Sequence, residues 1–367
     1  MKICLINLNA LGALSSRFQH THPVGGEEIQ HAELAKAYAR LGHDVTLIVQ
    51  DRGQPDGLHF DGVTTINTSG GYWSVWRAMA RADADAYYYS CAGRILAVVA
   101  AFCKAKGRRS VFRIVSDADP VPAEVQIKRD HERALYHWGL RHVDQILTQT
   151  ESQRENLLVH HDRRATLVEQ LVPRPQRTTR RKDIDVLWIA NIKAIKRPLM
   201  LLEVARMLPH LNFHMAGREV RSEADLFAQV AIEAANLPNV TFHGAVPYSD
   251  NGELFDRARV LCNTSKLEGF PNTYVQAWVR NIPVVATFDP DGVIATAGLG
   301  SRHHTATGLA WGIDRLLSSQ LFYDATRNRI RWHAARYNEE KVLAPYLSAL
   351  MGQHDVEAVF SHEQVAG

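Results

Sequence analysis

Chemistry-bearing residues gather at turns that join a short apolar run to a helical pattern. Residues 265–278, SKLEGFPNTYVQAW, follow the apolar run 260–263 and carry Glu268 and Gln276 eight positions apart. Gly269 lets a backbone come close, Pro271 suits a helix start, and Asn272 or Thr273 has a side chain able to cap one. Such a start presents N–H groups and the positive end of the helix dipole, an environment that attracts an anion, although a plain capped helix needs the same residues. Residues 191–198, NIKAIKRP, bring Lys193, Lys196 and Arg197 to the start of another helix. Fixed cations there would stabilise negative charge developing on a leaving group. A third turn, residues 24–28, is VGGEE, in which Gly25 and Gly26 either admit a ligand or serve only as a flexible turn. Asp117 and Asp119 follow the strand candidate 111–115, VFRIV, and place two carboxylates at its end, groups able to bind or activate a hydroxyl.

Holding such turns in place takes repeated strand and helix units. Residues 3–7 form an almost wholly apolar strand. Residues 27–41 place Ile29, Ala32, Ala35 and Ala39 at helical spacing before a Gly42 stop, and 45–49 is the next strand. This is a βαβ unit. Further strands are expected at 87–89, 111–115 and 145–148. Residues 173–182, PRPQRTTRRK, hold two prolines, five basic residues and no apolar one, and read as a linker. The alternation then restarts, with strands at 186–190, 213–216, 240–243, 260–263 and 284–287 and helices at 198–208, 223–235, 251–257 and 272–279. Residues 306–351 are mainly helical. The expected architecture is α/β: two Rossmann-like, doubly wound domains, 1–175 and 176–352, facing across a cleft, with a tail at 353–367 and a last helix free to pack back on the first domain. Ligands in such sheets bind beyond the carboxyl ends of the strands.

Composition removes several classes. The chain has 367 residues, 46% of them hydrophobic, and 42 basic against 39 acidic side chains give a net charge of only +3. That balance suits globular cores and is slight for a dedicated nucleic-acid binder. Four cysteines without a C-x-x-C fit neither a zinc site nor a disulfide framework, so a reducing compartment is expected. The longest apolar run, 95–103, has nine residues, against the roughly 20 that span a bilayer, and reads as a buried helix. The opening MKICLINLNALG reads as a first strand of a cytoplasmic protein, with no cleavage site behind it. The D-x-D triplets at Asp83/Asp85, Asp117/Asp119, Asp183/Asp185 and Asp289/Asp291 are not read as metal sites. No G-x-G-x-x-G follows the first strand, which argues against a dinucleotide dehydrogenase. His20 and His22 are weaker candidates for contact with a sugar or acceptor. Residues 128–142, KRDHERALYHWGLRH, form a basic helix that is either packed with a solvated face or laid on an anionic membrane.

The Glu268 segment resembles the E-G-F/G-x-x-x-x-x-E motif of retaining GT-B glycosyltransferases, family 4 in particular. The resemblance implies that Glu268 meets hydroxyls of the donor sugar, that amides of the Gly-rich turn contact the diphosphate, with Ser265, Gly269, Phe270, Pro271, Asn272 and Thr273 in the donor site, and that the position of Gln276 holds the ribose. Gln276 departs from the usual Glu, but its amide can both donate and accept. The turn 191–198 resembles the family's G-R-x-x-x-x-K-G, with Lys196 on the family lysine and Asn191 in place of the Arg; Lys193 or Arg197 would restore the missing charge. Gly25 and Gly26 resemble a G-G-x-E turn near the diphosphate and acceptor, and Gly217 resembles a strand-end glycine beside the nucleotide, with Arg218 next to it. A nucleoside-diphosphate sugar as donor is thereby implied, with a glycan or lipid-linked acceptor from surface polysaccharide assembly, no cofactor, no catalytic metal and at most peripheral membrane contact. A GT-B nucleotide-sugar epimerase and a non-catalytic nucleotide- or glycan-binding protein remain open beside it.

Overall fold

The computed structural model describes residues 1–22, 24–173, 175 and 181–352. Among them, β1 (Lys2–Ile6), β2 (Asp44–Gln50), β3 (His59–Phe60), β4 (Val63–Thr68), β5 (Ala86–Ser90), β6 (Arg109–Arg113), β7 (Gln145–Thr148) and β8 (Thr166–Leu167) form one sheet. Its order is β3-β4-β2-β1-β5-β6-β7-β8, parallel except for the β3–β4 hairpin. A second, parallel sheet contains β9 (Ile184–Ile189), β10 (Phe213–Ala216), β11 (Val240–Phe242), β12 (Ala258–Asn263), β13 (Val284–Ala286) and β14 (Gly300–Arg302), ordered β11-β10-β9-β12-β13-β14. Strand order reverses between β1 and β5 in the first sheet and between β9 and β12 in the second. These are the points where a doubly wound sheet opens a crevice at its carboxyl end.

Alternation along each strand decides which helices cover which face. Ile3 and Leu5 of β1 pack with Leu34 and Tyr38 of the helix Gly26–Arg40 and with Leu343, Tyr346 and Leu347 of the helix Glu339–Met351. Cys4 and Ile6 face the other way, against Val75 and Met79 of the helix Tyr72–Ala82 and Val99 and Phe102 of the helix Ile95–Lys106. In the second sheet Val186, Trp188, Phe213, Met215 and Val260 pack with the helices Pro198–Met207 and Ala306–Ser318.

Contacts divide the chain into two units, one of Met1–Val172 together with the chain from Asn338 onward, the other of Pro173–Tyr337. The division therefore falls three residues before the expected boundary at 175. The last helix, Glu339–Met351, which the sequence left free to pack back on the first domain, belongs to the first unit because its apolar face completes the core around Ile3 and Leu5. The linker read at 173–182 lies largely outside the described residues, at 174 and 176–180, as does the whole tail 353–367. The strand β4, VTTINT, was not foreseen: its polar threonines are buried at Thr65 and Thr68 because a parallel neighbour and covering helices enclose both faces.

Gly139 shows how close two of the helices lie. A Cβ there would stand 2.6 Å from Leu96 Cγ and 2.9 Å from the Ala97 nitrogen, so the helix Asp130–His142 meets Ile95–Lys106 backbone to backbone. Gly139→Ala should lower stability by about 1–3 kcal/mol through overpacking, despite the better helix propensity of alanine. A urea-unfolding midpoint equal to that of the wild type would refute this.

Candidate functional site

At the switch point of the second sheet, β9 and β12 pair directly, and the turns leaving their ends are bound together. Trp188 Nε1 in β9 donates to Thr264 Oγ1 at 2.9 Å, and that hydroxyl donates to the Lys196 carbonyl at 2.6 Å. The Lys266 N–H reaches the Ile195 carbonyl at 2.8 Å. Arg197, in the left-handed region at φ 48°, donates through Nε to the Thr264 carbonyl at 2.6 Å and through Nη2 to that of Ser265 at 3.3 Å. With the turns held this way, Lys196 Nζ donates to Glu268 Oε1 across 72 residues of sequence. Their side chains remain 22% and 15% exposed. A partly solvated pair adds little to stability; chemically, it places an ammonium and a carboxylate together at the rim of the crevice, able to meet an anion and hydroxyl groups respectively.

Around this pair several expected ligand contacts turn out to have structural work. The Arg197 guanidinium, a candidate to stand beside a diphosphate, also braces two loop carbonyls. Gly217 is required by the backbone, since a Cβ would fall 2.2 Å from the Ala190 carbonyl oxygen and 2.8 Å from Ile192 Cδ1. Ser265 is buried, its N–H donating to Asn263 Oδ1 at 2.9 Å and its carbonyl accepting from Thr287 Oγ1 at 2.7 Å. Neither Asn272 nor Thr273 caps the next helix: Asn272–Trp278 begins at Asn272, with the extended Pro271 as N-cap and no side-chain cap bond. Gly269, Pro271 and Gln276 are buried, while Asn191, Phe270, Asn272 and Thr273 are half-buried. Phe270 packs edge-on against Trp278, with ring centroids 6.1 Å apart.

A second cluster lies at the β1–β5 switch of the first sheet. Gly25 is the N-cap of the helix Gly26–Arg40, and its N–H donates to Glu28 Oε2 at 2.9 Å. Glu27, one residue into the helix, accepts from Ser90 Oγ at the end of β5 on one oxygen and from Arg113 Nη2 of β6 on the other. His31 Nδ1 lies 3.2 Å from Glu27 Oε1 and 3.2 Å from Asn7 Nδ2 just beyond β1. Burial by itself would raise the Glu27 carboxyl, but Arg113, followed by His31 and Ser90, outweighs it and holds the group down at about 2. Ser90, His31 and Arg113 were not singled out in the sequence, and Glu27 only as part of the glycine turn. The available signal was Arg113 itself, a charge in an otherwise buried strand that needs an internal partner.

Asp117 and Asp119 occupy different environments. Asp117 Oδ1 accepts from Gln153 Nε2 at 2.9 Å and Thr150 Oγ1 at 3.2 Å. Asp119 is 5% exposed, with Oδ2 accepting from the Val115 and Ser116 N–H groups at 3.2 and 3.1 Å. Burial pushes its carboxyl up, the two N–H groups oppose this, and the negative charges of Glu27 and Asp117 add to the rise, leaving it at about 6. His22, a weaker candidate for ligand contact, is fully buried with Nε2 on the Gln50 carbonyl at 2.9 Å, whereas His20 is exposed. The basic helix read at 128–142 begins at Asp130. Arg94 and Arg129 share Glu132 at 2.7 and 3.4 Å, and Trp138 stacks on His142. Asp183 and Asp185 pair with Arg257 and Arg259, each at 2.8 Å.

Matches to known proteins agree with this fold. Residues 173–336 match the family of glycosyl transferases group 1, and residues 25–174 match the glycosyl transferase 4-like domain. No curated protein matches in sequence. Among solved structures, sucrose-phosphate synthase from Thermosynechococcus elongatus superposes with a TM-score of 0.73 at 16% identity, covering 100% of this chain and 99% of its own. Anabaena HepE, solved in complex with UDP and glucose, gives 0.72 at 13% identity over 98% of this chain and 100% of its own. WaaG, a glycosyltransferase involved in lipopolysaccharide biosynthesis, gives 0.68 at 15% identity over 96% and 100%. At these identities the likeness is one of fold, two Rossmann-like α/β domains of the GT-B kind.

The raised Asp119 carboxyl makes stability depend on pH. A native value near 6 above an unfolded value near 4 means that the contribution is fully present below pH 4 and lost as pH rises through 6. Asp119→Asn should therefore stabilise the protein at pH 8 by roughly 1–3 kcal/mol relative to wild type, with the gain fading towards pH 4. Denaturant titrations at both pH values test this, and an equal difference at the two would sink it.

Proposed function

We propose, for a chain that belongs to the GT-B glycosyltransferases through its 4-like and group 1 domains, that it moves a hexosyl group from a nucleoside-diphosphate sugar to a glycan or lipid-linked acceptor. Retention at the anomeric carbon and a place in surface polysaccharide assembly are part of this reading. The observation that carries it is the Lys196–Glu268 pair at the β9–β12 switch. In the reaction, the bond from the anomeric carbon to the diphosphate oxygen breaks, its electron pair leaves on the diphosphate, and an acceptor hydroxyl oxygen bonds to that carbon as its proton passes to the departing diphosphate. Lys196 meets the charge that develops on the leaving group, assisted by main-chain N–H groups between Gly269 and Thr273, and this assignment asks for no metal and no cofactor. Glu268 accepts hydrogen bonds from the sugar hydroxyls and Gln276 exchanges them with the ribose. HepE, of the same fold, holds UDP and glucose, which supports a nucleotide-sugar donor here.

The first unit takes the acceptor in this reading, with Gly25, Gly26, Asp117 and Asp119 beside it. Asp119 accepts a hydrogen bond from the acceptor hydroxyl when ionised, so transfer should rise as pH passes through about 6. Among the described residues no helix is long and apolar enough to cross a membrane; a cytoplasmic protein with peripheral contact at the membrane fits the proposed acceptor.

Thermal shift with nucleoside diphosphates and their sugars identifies the donor, because a ligand that prefers the native state raises the melting temperature. With that donor, Lys196→Ala should lower kcat by about 10²–10³-fold while leaving the fold intact, and Glu268→Gln should weaken binding of the sugar nucleotide more than that of the free diphosphate. No shift with any nucleotide, or an epimerised sugar formed from donor alone, would overturn the assignment.

A further inference from the structure

The helix Glu339–Met351, which follows the second unit in sequence, carries a side chain into the charged cluster of the first. Tyr346 is fully buried; its hydroxyl donates to the Glu169 carbonyl at 3.1 Å and accepts from Arg113 Nη1 at 3.1 Å. The same Arg113 nitrogen reaches Gln170 Oε1 at 3.1 Å, and Gln170 continues through Nε2 to Gln149 Oε1 at 2.6 Å. The other terminal nitrogen, Nη2, holds Glu27. One chain of contacts thus joins the terminal helix to the first turn of Gly26–Arg40, directly behind Gly25 and Gly26.

Such a cluster is costly to bury. Arg113, Tyr38, Tyr88 and His31 have no exposed surface, and Arg113 Nε, Tyr38 Oη, Tyr88 Oη and His31 Nε2 have no hydrogen-bond partner among the described residues. All four side chains surround the Glu27 carboxylate or the Arg113 charge. A buried ion pair is commonly no more stabilising than apolar residues of the same volume, and orphaned polar atoms add to its cost. What the cluster supplies in return is position: Glu27 has one oxygen on Ser90 at the end of β5, and its His31 partner reaches Asn7 beyond β1.

We propose that Tyr346 and Arg113 are positioning residues for the acceptor site: the terminal helix holds Arg113, Arg113 holds Glu27, and Glu27 holds the Gly25–Gly26 turn against the ends of β1 and β5. What that turn then binds rests on the function proposed above; that it is held from the terminal helix does not.

Tyr346→Phe keeps the ring in the core and removes only the hydroxyl. Its hydrogen–deuterium exchange should speed up by about tenfold at the amides of residues 26–31, as expected for loss of one bond to a charged group. Exchange in β1 and in the second unit should stay as in wild type. In transfer assays the acceptor KM should rise several-fold with the nucleotide Kd unchanged. Arg113→Met should reproduce the loss and Arg113→Lys recover part of it. Unchanged exchange at 26–31, or faster exchange spread evenly over the first unit, would overturn the proposal and reduce Tyr346 to a core residue. Absence of transfer by the wild-type protein would overturn the enzymatic reading instead, and the exchange result would still decide the positioning role.

Discussion

Reversal of strand order is the constraint on which the rest depends. A parallel sheet built outward from the middle sends successive connections to opposite faces, and where the direction changes the turns above two adjacent strands diverge. The gap is left by topology alone, before any side chain is chosen. In each unit a group of polar and charged side chains sits at that gap: Lys196, Thr264 and Glu268 above β9 and β12, and Asn7, Glu27, Ser90 and His31 above β1 and β5.

The two gaps use charge in opposite ways. Lys196 and Glu268 are partly solvated and bonded to each other, so either can exchange its partner for a ligand group at modest expense. Arg113 has no water to turn to and is committed to Glu27, Gln170 and Tyr346. One arrangement suits groups that must change partners during a reaction, the other suits groups that must stay still. Arg197 stands between these extremes: a cation at the mouth of the gap whose guanidinium is engaged with the loop carbonyls that shape it.

Much of the fold could be read from the amino-acid order because many of its strands are apolar and its first long helix stops just before Gly42, at φ 81°. The strands at 145–148 and 213–216 fall where periodicity placed them. Polar β4 and the two-residue strands β3 and β8 lack that signal, the first because its buried positions include threonines and the other two because they are too short to show a period. The candidate site was legible where short segments carry it: the Glu268 segment and the Lys196 turn were each read from their residues, and the fold brings these two side chains together. It was not legible where four separate elements each contribute one residue, as with Glu27, Ser90, Arg113 and Tyr346. Nor does residue type reveal the structural work of a candidate binding residue: Arg197 bonds loop carbonyls, and a Cβ at Gly217 would meet the Ala190 carbonyl oxygen.

The return of the helix Glu339–Met351 also bears on how the protein is made. Val342, Leu343, Tyr346, Leu347 and Leu350 close a core whose other side consists of Ile3, Leu5 and Val45, so the amino-terminal unit cannot complete its interior until almost the entire chain has left the ribosome. Domain-by-domain folding during synthesis is the common route for chains of this size. Here completion runs in the inverse order: the strands of the first unit are made earliest, but all of Pro173–Tyr337 is made before the helix Glu339–Met351 that closes the first unit's core.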